Sequence, residues 1–286
     1  MTLERLTRLL AYANPYAESL PLRPPVGVPA SFIDPSYLAN NVFWQEDDLE
    51  DRIRCDTAPI PHADNREGYH GDYHLAFWLG GYRDYRRAVD TFTQYGVEPR
   101  RVFEFGCATA RVLRHFYFQA GAECWGCDFK PSNAEWMMRY LPKPFKVWQN
   151  DYYPRLPVED NYFDAVTAFS VFTHIDETES GWLLELRRIL KPGGIAYLSI
   201  HNEETWKIKD SNLLTTVRDY LTPEIADSPT LPVGKTVATF RQDDPYRCNV
   251  FHSREYINHV WGRYFDILDI LPLRLDKQAI VVCRKQ

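Results

Sequence analysis

The chain has 286 residues, of which 45% are hydrophobic and 25% charged, and its net charge at pH 7 is −6. That is globular composition, which excludes a disordered chain, a collagen-like repeat and a coiled-coil rod. No apolar run reaches the roughly 18 residues needed to cross a bilayer, and an acidic balance with no Lys/Arg cluster argues against nucleic acid; neither a membrane nor nucleic acid is expected as a partner.

At the N-terminus, MTLERLTRLLAYANP mixes charges among its leucines, so it does not read as a secretory leader. Leu3, Leu6, Leu9 and Leu10 can form one face of a short helix. The Pro-rich stretch LPLRPPVGVPASFIDP reads as extended. Within residues 44–56, Glu46, Asp47, Asp48, Glu50 and Asp51 stand against Arg52 and Arg54, the pattern of a solvated helix face. In residues 69–95, Trp78, Tyr82 and Tyr85 have helical spacing. His70 and His74 could share a face of that helix, but aromatic packing is the preferred reading and no metal site is expected.

The six cysteines, Cys55, Cys107, Cys124, Cys127, Cys248 and Cys283, in a chain this long and without a leader, read as reduced thiols of a cytoplasmic protein. Cys124-Trp-Gly-Cys127 has redox and zinc spacing, yet it lies in a strand-like run and no second pair completes a zinc site. Its expected role is structural.

From about residue 100 short apolar runs alternate with amphipathic stretches. The runs are 101–105, 123–127, 145–149, 163–169 and 195–200, with helices expected over 109–119, 132–141 and 177–190. Repeated strand–helix units make a parallel sheet covered on both faces. Asp176 and Glu179 resemble a capping box at the start of the third helix, and Pro192-Gly-Gly194 ends it. The last two runs, 264–271 and 278–284, are too close together for a crossover helix and must be antiparallel neighbours. The fold class these runs point to is α/β, a mostly parallel sheet finished by one antiparallel strand.

The central signal is VFEFGCATA (102–110), a strand entering a tight turn and then a helix. Ligands bind at the carboxyl ends of such strands. Gly106 permits the turn, and the small Ala108 and Ala110 let a ligand approach the backbone. Glu104 would repel a pyrophosphate by about 4 kcal/mol for two like charges at 4 Å and an effective dielectric near 20. The same carboxylate favours a cation, which disfavours a nucleotide-dependent oxidoreductase. Asp128 ends the second strand, where an acid can accept both ribose hydroxyls. Phe129 can lie along an adenine, and Asp151 ends the third strand, where it can accept the adenine amino group.

With these pieces in place, residues 101–200 resemble a class I S-adenosylmethionine-dependent methyltransferase. The resemblance rests on VFEFGCATARVL, CWGCDF, QNDYYPRLPVEDNYFDAV and LRRILKPGGIAYLSI, and extends more weakly over 250–286. It implies S-adenosyl-L-methionine as cofactor, held by Glu104 and Gly106 at the first loop, Asp128 at the ribose and Asp151 at the adenine. It further implies Ser170 and Phe172 along the methionine arm, and the family fold, a Rossmann-like, doubly wound, seven-stranded sheet, mostly parallel with one antiparallel strand. Aromatics before the domain often close over the cofactor in such enzymes, which nominates Tyr69, Tyr73 and Tyr82. The departure is Ala108 and Ala110 where the family usually carries glycine. On this reading residues 1–99 are an extension contributing to the cofactor and acceptor pocket, and 100–286 are the methyltransferase domain, with 202–250 a lid insertion.

Methyl transfer is an in-line displacement, and a hydroxyl acceptor needs a base. His174 follows the fourth strand and His201 the fifth, so both are candidates for that base. His252 precedes a helix and reads as structural. The expected activity is O-methylation of a small molecule or glycan, with similarity of NVFHSREYINHVWGRYFDILDI and YLSIHNEETW to saccharide-associated methyltransferases tilting towards a sugar hydroxyl. A carboxyl or nitrogen acceptor and a non-catalytic binding protein are the alternatives.

Overall fold

The computed structural model describes residues 47–71, 73–210, 217–240, 247–275 and 277–286. The expected N-terminal helix and the Pro-rich stretch lie outside the described residues. The chain divides into two compact units, 1–152 and 153–286.

The strands of the main sheet are β1 (Arg101–Phe105), β2 (Glu123–Asp128), β3 (Lys146–Gln149), β4 (Phe163–Ala168), β5 (Leu190–Ile200), β8 (Asp266–Leu275) and β9 (Gln278–Arg284). They form one seven-stranded sheet in the order β3-β2-β1-β4-β5-β9-β8. Only β9 runs against its neighbours, pairing antiparallel with both β5 and β8. The Rossmann-like α/β fold expected from the sequence is therefore the fold observed, reversed strand included.

In the first unit β1 pairs parallel with β2, and β2 with β3. Their apolar character follows from burial on both faces, as in any sheet covered by crossover helices. Among the described residues of this unit, α1 (Leu49–Cys55) is followed by α2 (His74–Gln94), α3 (Leu113–Ala120) and α4 (Pro131–Tyr140). α1 is the solvated helix expected, with an Asp48–Arg52 ion pair four residues apart. α2 buries Trp78, Tyr82 and Tyr85. Trp78 donates to Asp56, and Asp56 is also gripped by two nitrogens of the fully buried Arg114 at 2.6 and 2.8 Å. That bidentate geometry binds the 56–60 segment to α3. Gly126 in β2 is required by packing: a Cβ there would lie 2.7 Å from the Cys107 sulfur. Cys124 and Cys127 are buried, unpaired strand residues, as expected.

In the second unit β4 and β5 are parallel, flanked by α5 (Glu179–Ile189). The expected capping box is absent. Thr178 is the N-cap and makes no side-chain cap bond, while the Glu179 carboxylate turns inward. It accepts from Trp261 Nε1 at 2.6 Å and from His252 Nε2 at 3.2 Å. Tertiary partners outbid the local cap because this carboxylate is buried and charge-assisted bonds are the stronger ones there. The insertion carries α6 (Glu203–Lys207), α7 (Pro223–Ala226) and an antiparallel hairpin, β6 (Lys235–Thr239) with β7 (Cys248–His252). Trp206, Val217, Leu231, Ala238 and Phe251 give it an apolar cluster of its own. α8 (Arg254–Val260) follows, capped by Ser253, whose hydroxyl accepts from the Tyr256 N–H.

Candidate functional site

The turn after β1 carries the first group of candidate residues. Gly106, Ala108 and Ala110 all have left-handed backbone, with φ of 67, 47 and 60°. The two alanines thus occupy the conformation that glycine adopts freely, at a cost of roughly 1–2 kcal/mol each. This is why α3 begins at Leu113 and not at the 109 expected from periodicity. Non-glycine residues held in such backbone concentrate at functional sites.

Glu104, next to last in β1, is almost completely buried. Among the described residues its Oε2 has no hydrogen-bond partner. Desolvation pushes its pKa up to about 8, although the Arg111 guanidinium pulls the other way. Arg111 donates to Asp84 at 2.8 Å and lies 4.4 Å over the Tyr69 ring. A buried carboxyl with an orphaned oxygen is a costly arrangement unless a donor or cation arrives.

Asp128 ends β2 and is also buried. Its Oδ2 accepts from the Ala108 N–H at 2.8 Å; its Oδ1 accepts from the Lys130 N–H at 2.9 Å and from Asn133 Nδ2 at 3.1 Å. Burial raises its pKa to about 6. Phe129 is partly exposed, its ring 5.4 Å from that of Tyr152. Asp151 accepts from the Tyr152 N–H at 2.6 Å, and Asn150 donates to the Asp151 carbonyl. Glu104, Gly106, Ala108 and Asp128 therefore converge on one turn. Tyr73 stands at the N-cap of α2, about half exposed. Tyr82 is a core residue stacked on Trp78 and cannot close over anything. Tyr69 instead packs on Arg111.

The second unit holds the remaining candidates. Ser170 follows β4 in left-handed backbone, φ 59°; its N–H donates to Ser199 Oγ at 2.6 Å and its hydroxyl pairs with Gln278. Phe172 is fully buried with its ring 5.0 Å from that of Trp261, so it is a core side chain and not a wall of a site. His174 is half-buried. Its Nδ1 lies 2.6 Å from the Cys248 carbonyl, which fixes that nitrogen as the donor and leaves Nε2 as the basic atom. Burial lowers its pKa, so the ring is neutral near pH 7. His201 is buried beside the Phe251 ring, and among the described residues neither of its ring nitrogens has a hydrogen-bond partner. Burial holds its pKa well below the usual value. His252 is buried on Glu179, a structural place.

Sequence reading missed Glu67, Asp84, Arg111, Asn133 and Gln278. Each acts through a partner distant in the chain, and nothing local announces that pairing.

Comparison with known proteins bears on this geometry. Residues 103–198 match the family described as a methyltransferase domain. A demethylmenaquinone methyltransferase of Streptomyces griseus is 29% identical over 159 residues, 54% of this chain and 66% of that protein. A ubiquinone/menaquinone biosynthesis C-methyltransferase of Cupriavidus metallidurans is 31% identical over 130 residues, 42% of this chain and 50% of that protein. A sterol 24-C-methyltransferase of Gibberella zeae is matched over 36% of its length. The chain thus spans less than two thirds of the length of the curated relatives it matches. Among solved structures, the 1,6-didemethyltoxoflavin-N1-methyltransferase of Burkholderia thailandensis shares the fold with a TM-score of 0.50, at 14% identity, over 96% of this chain and all of that one. The stretch that resembles the methyltransferase domain, residues 103–198, runs from β1 to β5 and includes the strained turn after β1.

Proposed function

We propose that the chain binds S-adenosyl-L-methionine at the turn after β1 and transfers its methyl group to a small-molecule acceptor. The observation that carries this reading is Glu104, a buried carboxyl with an unpartnered oxygen at the end of β1. A cation there supplies the missing partner and favours the ionised carboxylate, which a phosphate would disfavour. Asp128 and Asp151 are assigned to the ribose and the adenine, with Phe129 beside the adenine. Bound cofactor supplies an electrophilic methyl on sulfur, whose departure as a neutral thioether makes the transfer favourable. The protein's task is to align the acceptor and take its proton.

His174 suits that task better than His201. Its tautomer is fixed by the Cys248 carbonyl, its Nε2 lone pair is uncommitted, and it is neutral at physiological pH. His201 is deeper, and its role on this reading is to line the acceptor side through its uncommitted ring nitrogens. The proposed acceptor atom is a hydroxyl oxygen of a small molecule or sugar: its lone pair attacks the methyl carbon as the carbon–sulfur bond breaks, and its proton passes to His174 Nε2. A second reading, carbon methylation of a quinol-like ring, is favoured by the two quinone-pathway relatives. It needs the same base, because the ring carbon becomes nucleophilic once the neighbouring hydroxyl is deprotonated.

Calorimetry with S-adenosylhomocysteine tests the cofactor half. Asp128→Asn is expected to weaken binding at least tenfold; wild-type protein that binds none sinks the reading. Mass spectrometry of acceptor panels tests the other half. His174→Ala is expected to cut turnover on a hydroxyl acceptor by 10²–10⁴ with cofactor affinity unchanged, and intact turnover would indicate an amine acceptor instead.

A further inference from the structure

The loop before α2 reaches the ribose end of this site. Arg66, almost fully buried, organises it: Nε donates to the Pro61 carbonyl at 2.9 Å and Nη1 to the Gly71 carbonyl at 2.5 Å. Thr109 of the cofactor turn donates to the Asn65 carbonyl at 2.9 Å, fastening the loop to that turn. Glu67 stands next along, in left-handed backbone with φ 50°. Its Oε1 accepts from Lys130 Nζ at 2.8 Å and from Asn133 Nδ2 at 3.1 Å. The same Asn133 nitrogen lies 3.1 Å from Asp128 Oδ1. One amide therefore holds two carboxylates side by side.

Counting lone pairs shows what this pairing does. A carboxylate has about four acceptor sites. Asp128 has three of them filled, by the Ala108 and Lys130 N–H groups and by Asn133. One site remains, on Oδ2. A vicinal diol brings two hydroxyl donors, so Asp128 alone satisfies only one of them. Glu67 Oε1 is filled by Lys130 and Asn133, while among the described residues its Oε2 makes no bond and offers both of its sites. Lys130 offsets the second negative charge. Glu67 is 36% exposed, so that oxygen can be reached, and the buried Asn133 Oδ1 beside it is also unpartnered.

We propose that Glu67 is a second ribose-recognition carboxylate, taking one hydroxyl of the cofactor's diol while Asp128 takes the other. This rests on the cofactor reading above and adds to it a residue outside the matched 103–198 domain. It makes the N-terminal loop a determinant of cofactor specificity: ligands with both ribose hydroxyls gain over those lacking one.

Calorimetry with S-adenosylhomocysteine and its 2′-deoxy and 3′-deoxy counterparts tests this on the full chain. Glu67→Gln is expected to weaken the parent ligand about tenfold and to leave one monodeoxy ligand within twofold, since that ligand lacks the hydroxyl Glu67 would hold. Glu67→Ala is expected to show the same ligand dependence. An equal loss with all three ligands would mean that Glu67 only supports the loop, and no loss would mean that it stands apart from the diol; either overturns the proposal. Asp128→Asn separates the two levels. If it abolishes binding while Glu67 variants behave as wild type, only the Glu67 role falls; if wild-type protein binds none of the ligands, the cofactor reading falls with it.

Discussion

At the residue scale the turn after β1 is held by alanine where glycine would be unstrained. Ala108 and Ala110 both have positive φ, yet their surroundings differ, Ala108 being partly exposed and Ala110 fully buried. Replacing Ala108 with glycine relieves roughly 1–2 kcal/mol of steric cost and gives back roughly 0.5–1 kcal/mol through the freer unfolded chain. Ala108→Gly should therefore stabilise the protein by about 0.5–1 kcal/mol, from the same two terms. Ala110→Gly also loses a buried methyl worth about 0.8 kcal/mol and should come out close to neutral. Urea unfolding of both variants checks the pair, and equal effects would contradict the burial argument. The strain itself was hidden in the sequence. Ala108 and Ala110 read as small residues near a ligand, but their backbone sign is set by the closure of the turn against β2, where the Cys107 N–H donates to the Cys127 carbonyl.

At the scale of elements, periodicity located the strands of the seven-stranded sheet and three central helices because burial is written into local sequence, but not the β6–β7 hairpin of the insertion. Their ends were less legible. α5 begins at Glu179 because a buried network claims that side chain, and the partners that form it, Lys235, His252 and Trp261, come from β6, β7 and the turn after α8. No window of local sequence contains them. Desolvation would raise the Glu179 pKa, but His252, Lys235 and Trp261 together outweigh it, and the net shift is downward. The carboxylate therefore adds stability above the ordinary carboxylate range, and that stability is lost as pH falls through its lowered folded value. Glu179→Ala strands Lys235 and His252 beside a vacancy, though Asp176 still pairs with Lys235 at 2.7 Å. The expected loss is about 3 kcal/mol, the lower part of the range for breaking a buried pair. Urea unfolding at pH 7 and at pH 4 tests it: the gap between variant and wild type should shrink at the lower pH, and a loss below about 1 kcal/mol would show that the network is solvated.

For the whole molecule, the topology was readable because a parallel βαβ series finished by two closely spaced strands admits few arrangements. The acid at each strand end was readable too, since residue type and register suffice to place Glu104, Asp128 and Asp151. What could not be read was the energetic state of those acids, which depends on how completely folding removes water from them. That state sets stability against binding. The Glu104 pKa rises from 4.5 to about 8 on folding, and that of Asp128 from 3.8 to about 6, both chiefly through burial. A carboxyl with a raised folded pKa contributes stability that is full below its unfolded value and is lost as pH rises through the folded one. The unliganded protein should thus lose stability steadily from about pH 4.5 to about pH 8 on account of Glu104. A cationic ligand reverses the preference, because it binds the ionised form and expels the proton. Affinity for S-adenosyl-L-methionine should climb between pH 6 and 8 by up to about tenfold per unit, with proton release visible as a heat that varies with the buffer. Glu104→Gln should flatten both slopes: the unliganded variant melts higher than wild type at pH 8, and its weaker cofactor binding no longer depends on pH across that window. Wild-type affinity that stays level from pH 6 to 8 would show that Glu104 keeps its proton when the cofactor is bound, and the cation would then have to be held by other groups.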